Sequence, residues 1–167
     1  MVVTVQIPID LAVPKASALA GNSYWLPVAL TAADKAFWHF LKDVEGKVWG
    51  KVRIPVSIAG TPNAKIKLVI CANATSGVTR IDVLHKAIQT KATGESLNPA
   101  SLTSIGAQDI TVPATAYDAL EVSFTVSETL AAEDELEVEI FHDGDHANDT
   151  LAVTTLLFDA FLEIDIA

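Results

Sequence analysis

"KVWGKVRIPVSI", residues 47 to 58, places Val48, Val52, Ile54, Val56 and Ile58 at every second position or its multiple, with Lys47, Lys51, Arg53 and Ser57 between them. A spacing of two puts the apolar set on one face of an extended strand and the charged set on the other, which is the pattern of a half-buried β-strand. Pro55 falls on the outward side, where a missing N–H is tolerated at an edge or a bulge. The same grammar continues in both directions. "TPNA" turns the chain, "KIKLVICA" sets Ile66, Leu68 and Ile70 inward, and "TSG" turns it again before "VTRIDVLHKAI", where Ile81, Val83, His85 and Ala87 share a face. The expectation is three successive strands in a meander.

Alternation resumes at "QDITVPA" and is clearest in "ALEVSFTVS", with Leu120, Val122, Phe124 and Val126 on one face. "ELEVEIFH" sets Leu136, Val138 and Ile140 against Glu135, Glu137 and Glu139. The last stretch, "TLAVTTLLFDAFLEIDI", places Leu156, Phe158, Ala160, Leu162 and Ile164 at spacing two; its β-branched and aromatic content favours one long strand. Residues 31 to 44 fit a short helix or a strand, and 127 to 136 read as a polar connection. Residues 89 to 105 show no period and read as a long loop. Short strands, regular turns and no βαβ rhythm predict an all-β antiparallel sandwich of jelly-roll type. Residues 1 to 24 are predicted as an extended N-terminal arm, with a first strand plus linker as the alternative, and residues 25 to 167 as one sandwich domain.

The chain has 167 residues, enough for one full core, and carries a net charge of −10. That balance repels a phosphate backbone, so nucleic acid is not an expected partner. No run of apolar residues is long enough for a membrane span, and Pro8 and Pro14 interrupt a leader-like N-terminus; the expectation is a soluble chain made in a cytosol. Cys71 is the only cysteine, so no internal disulfide or thiolate zinc site can form, and its setting in "IKLVICANA" suits a small buried hydrophobe.

"HDGDHAND", residues 142 to 149, holds the densest polar chemistry. It lacks the glycine and glutamate positions of an EF-hand loop. His142 and His146 have helical zinc spacing, but Asp143-Gly144 breaks a helix, and Asp143, Asp145 and Asp149 offer at most loose calcium ligation. The preferred reading is a hairpin turn, with no metal and no cofactor. None of His39, His85, His142 and His146 lies in a nucleophile motif, so no catalytic residue is assigned. His85 falls on an apolar face and reads as a satisfied core histidine; Glu135, Glu137 and Glu139 read as a solvated face. Trp49 sits on the charged side of its strand. An indole there needs cover from the arm or a subunit, or a ligand such as a sugar stacked on it.

The order "KVWGKVRIPVSI", "ATSGVTRIDVLHKAI", a polar excursion, then "LAAEDELEVEIFHDGDHANDTLAVTTLLFDAFLEI" resembles the small β-sandwich virion structural proteins of tailed bacteriophages, such as capsid decoration (cement) proteins. The resemblance covers about residues 36 to 165. It implies a non-enzymatic protein of the virion, made in the host cytoplasm, often trimeric, with the major capsid protein or another virion protein as partner. A head-fibre or tail module that binds a receptor or glycan is the alternative, using Trp49 with Trp25 or Trp38. Trp49, Lys51 and Arg53, with Ile7, Ile9 and Leu11 of the arm, are the candidate interface residues.

Overall fold

A computed structural model of the protein describes residues 2–12, 23–29, 34–60, 62–88 and 101–167. Among the described residues twelve strands run in chain order: β1 (Val3–Pro8), β2 (Asp10–Ala12), β3 (Ser23–Ala29), β4 (Asp34–Phe40), β5 (Glu45–Arg53), β6 (Ala64–Ala72), β7 (Val78–Ile88), β8 (Thr103–Ser104), β9 (Gln108–Thr111), β10 (Leu120–Thr125), β11 (Glu135–Asp143) and β12 (Thr155–Ile166). They form two antiparallel sheets. One is ordered β10-β6-β12-β4-β3, with β1 also on β12; the other is ordered β2-β5-β11-β7-β8, with β9 also on β7. The described residues contain no helix, and the fold is the expected all-β antiparallel sandwich of jelly-roll type.

The inward residues of both sheets meet in one core. Val48 and Val52 of β5, and Ile54 just after it, share a core with Ile66, Leu68 and Ile70 of β6, Ile81 and Val83 of β7, Leu136, Val138 and Ile140 of β11, and Leu157, Ala160, Leu162 and Ile164 of β12. Each such aliphatic contributes about 1.5–3 kcal/mol when fully buried, so period-2 alternation is what closes the sandwich. Across the sheets, the Thr79 and Thr155 hydroxyls join at 2.7 Å, which satisfies two polar groups inside the core.

β3 pairs with β4 and β7 with β8, but the three strands expected to pair in sequence do not. β5, β6 and β7 alternate between the two sheets, so the predicted meander is replaced by crossovers, and β5 pairs with β2 and β11 instead. Alternation reports which face is buried, and both sheets bury a face toward the same core; it carries no record of the partner strand. Pro55 lies beyond the end of β5, and Val56, expected inside, is 73 % exposed.

The N-terminal expectation is corrected in its described part. β1 pairs along its length with β12 and β2 pairs with β5, so residues 3–12 are strands in both sheets rather than an arm set apart from them. Ile9, between them, donates its N–H to the Ala160 carbonyl at 2.9 Å and is buried. Residues 13–22 of the predicted arm, and residues 89–100 of the predicted long loop, lie outside the described residues.

Candidate functional site

The outward face of the β2-β5-β11-β7 sheet carries rows of side chains set by register. Trp49 lies opposite Glu139, Lys51 opposite Glu137, and Arg53 opposite Glu135. Ala12 pairs with Trp49, and Asp10 with Lys51, from the edge strand β2. Ion pairs neutralise much of this face: Lys47 Nζ reaches Glu139 at 3.3 Å and Lys51 Nζ reaches Glu135 at 3.4 Å. Between them, Asp10, Ala12, Trp49, Gly50, Lys51 and Glu137 line an open depression of about 200 Å³.

Two groups in this depression are not fully served. The Trp49 Nε1–H is buried and has no hydrogen-bond partner among the described residues. A buried donor left unmatched costs about 1–3 kcal/mol, so its placement calls for an acceptor. Burial pushes the Glu137 carboxyl above the usual carboxylate range, with neighbouring Glu135 adding to the effect and Lys51 opposing it. An amphipathic ring, an unmatched indole donor, two carboxylates and an ammonium therefore converge on one small hollow. Such a set can stack an apolar ring face while exchanging hydrogen bonds at its rim.

Of the six residues singled out from sequence, Trp49, Lys51 and Arg53 do share this face. Ile7, Ile9 and Leu11 lie elsewhere, on β1, β2 and the residue between them. Ile9 is buried in the core, and Ile7 and Leu11 pack against it from β1 and β2. Gly50 makes this possible: a Cβ there would come within 2.5 Å of Ile9 Cγ2 and 2.7 Å of Leu11 Cδ2. Trp38 packs against the core and lines a separate cleft, and the Trp25 side chain lies outside the described residues.

Residues 142–149 are not a hairpin turn. β11 and β12 belong to different sheets, and the stretch crosses between them. His142 is buried beside Asp149, with Nε2 at 3.0 Å from Asp149 Oδ2. Burial lowers its basicity, although Asp149 pulls the other way. Asp149 Oδ2 also accepts the Arg80 N–H at 2.9 Å, while Arg80 Nε reaches Asp143 at 3.1 Å, so the crossover is tied to β7. Glu45, Asp143 and Asp145 bring carboxylate oxygens within 4.8 Å of one another; Asp143 is already paired with Arg80, and Asp149 is engaged by His142 and the Arg80 N–H. His85 is a satisfied core histidine, as expected. Its Nε2 accepts the Ser127 N–H at 3.1 Å, which leaves Nδ1 to donate to the Thr103 carbonyl at 2.9 Å. Cys71 is buried, and burial raises its thiol to about 11.

Sequence reasoning missed an aromatic cleft on the other sheet. A bulge between Leu157 and Asp159 shifts the phase of β12, so Phe158, expected inside, is 42 % exposed. It tilts against Phe37 at 5.6 Å, with Lys35 Nζ 5.5 Å above its ring. Tyr117, held at a φ of 65°, lines the same hollow. Left-handed backbone at a bulky residue is uncommon. Leu156, Leu157 and Phe158 are all apolar, so alternation alone does not show which of them turns outward.

No protein-family model matches the chain, and neither does any curated protein. Among solved structures, the chain is similar to a family 35 carbohydrate binding module from Clostridium thermocellum, at 11 % identity and TM-score 0.46 over 96 % of this chain and 97 % of that one. It is similar to the K1 cleaved adhesin domain of Lys-gingipain from Porphyromonas gingivalis W83, at 10 % identity and TM-score 0.48 over 96 % and 97 %. A carbohydrate binding module from Cellvibrio mixtus lichenase 5A, in complex with cellotriose, aligns at 12 % identity and TM-score 0.44 over 96 % and 99 %. Likeness at this level places no residue of this chain in a ligand site.

Proposed function

We propose that the chain is a non-catalytic binding module for a glycan, held on the outer face of β5 at Trp49. The observation that carries this reading is the buried, unmatched Trp49 Nε1–H beside a hollow rimmed by Asp10, Lys51 and Glu137. A pyranose offers what this set lacks: an apolar C–H face for the indole and hydroxyls that both donate and accept. The carboxylates of Asp10 and Glu137 accept from hydroxyls, the Lys51 ammonium donates, and the indole N–H gains an acceptor. No nucleophile, base and orienting group converge there, so binding rather than turnover is the proposed role. A place on a phage particle, in a head fibre, a tail or a capsid coat, concerns where such a module is carried and is a separate proposal that rests on the sequence resemblance.

A glycan array probed with the purified chain tests the function. The expected result is selective retention of a soluble oligosaccharide class that is lost in Trp49→Ala and partly kept in Trp49→Phe, with the thermal midpoint of both variants close to the parent. Equal retention by the parent and Trp49→Ala would overturn the reading.

A further inference from the structure

The free edge of β1 is built to pair with itself. β1 hydrogen-bonds to β12 in a register that couples Val3 with Ile166, Val5 with Ile164 and Ile7 with Leu162. The bond from Ile9 N–H to the Ala160 carbonyl continues that register, so the odd residues exchange bonds with β12. The even residues, Thr4 and Gln6, therefore aim their N–H and C=O groups away from the sheet. Pro8 occupies the next outward position, where no donor is called on. Among the described residues no strand pairs with this edge.

Edges of this kind are commonly blunted by charge, by a bulge or by proline. Here the only such device is Pro8, at the end of the strand. Val2 to Pro8 contains no charged residue in a chain of net charge −10, and Val2 and Val3 are 61 % and 43 % exposed.

We infer that β1 joins a second copy of this chain by antiparallel strand addition about a two-fold axis through Val5. "VTVQI" is self-complementary in that arrangement. Thr4 exchanges both backbone bonds with Gln6 of the second copy, and the Val2 N–H meets the Pro8 carbonyl, which needs no donor from proline in return. Val3 lies across from Ile7 of the second copy, and Val5 from Val5, on the apolar face; Thr4 and Gln6 cover the polar one. A like-charged chain can approach itself here without setting charge against charge, and the isologous contact closes at two subunits.

Light scattering coupled to gel filtration tests this across a hundredfold concentration range. The expected mass rises to twice 17.7 kDa. Gln6→Pro removes an outward donor that β12 does not use, so it is expected to elute as a folded monomer. Val5→Cys brings two thiols together on the axis and is expected to give a disulfide-linked dimer under mild oxidation, whereas Thr4→Cys is not. A parent that stays monomeric at every concentration, a mass of three subunits, or a Gln6→Pro dimer would each overturn the pairing. Should Gln6→Pro fail to fold, an uncrosslinked Val5→Cys chain would overturn it independently.

Discussion

Gly50 shows how one residue decides where the N-terminus goes. With Ile9 Cγ2 and Leu11 Cδ2 inside 3 Å of any added Cβ, Gly50→Ala forces β2 off β5 and opens the floor beneath Trp49. Overpacking of this type costs about 1–3 kcal/mol, and a drop in the urea midpoint of Gly50→Ala is the expected outcome. His142 makes a prediction about pH. Its folded-state pKa lies below the ordinary 6.5 because burial disfavours the cation. Between pH 7.5 and 5.5 the unfolded chain therefore binds more protons at this site than the folded one, so the stability associated with it is present above 6.5 and is lost as the pH falls through that value. Denaturant midpoints should decline over that window in the parent. The decline should shrink in His142→Gln. Asp109 and Asp165, whose pKa values are lowered by hydrogen bonds from Arg80 and Thr4 respectively, contribute stability that is present above the ordinary carboxylate pKa and is lost as the pH falls from there through their lowered values.

The crossovers between sheets hold the elements in order, and Asp149 is the clearest example. Its carboxylate serves the Arg80 N–H and sits against His142, so Asp149→Ala leaves a buried ring and a backbone donor without their partner. A loss of about 1–3 kcal/mol is expected, measured by reversible urea unfolding. This is also where the sequence and the structure part company. Inward faces were legible in β5, β6, β7, β10 and β11, because alternation is a direct consequence of one-sided burial. The outward position of Trp49 was legible because a large ring broke a charged face. Pairing was not legible: the acidic stretch after β11 has the composition of a hairpin turn, and composition does not distinguish a turn within one sheet from a passage to the other. The phase shift at Phe158 was hidden for a related reason, since the consecutive apolar residues Leu156, Leu157 and Phe158 before Asp159 do not show which of them faces out.

At the scale of the whole molecule, the two sheets turn different chemistry outward. One presents an indole among paired charges; the other carries exposed Phe158 and, at its margin, an uncharged strand edge. Pairing through β1 would leave the Trp49 face of each copy open, because Trp49 belongs to the sheet that β1 does not join, and would place two binding faces on one particle. A surface-attached glycan should then be held more tightly by the parent than by Gln6→Pro, while a free oligosaccharide binds both alike. The central claim is that the Trp49 indole meets the ligand. The most direct measurement is a ¹⁵N–¹H correlation spectrum of the three tryptophan indoles, assigned with Trp49→Phe, during titration with an oligosaccharide retained by the array. A saturable shift of the Trp49 Nε1–H resonance, larger than that of Trp25 or Trp38, is predicted. Saturable binding that leaves the Trp49 resonance in place would contradict the account.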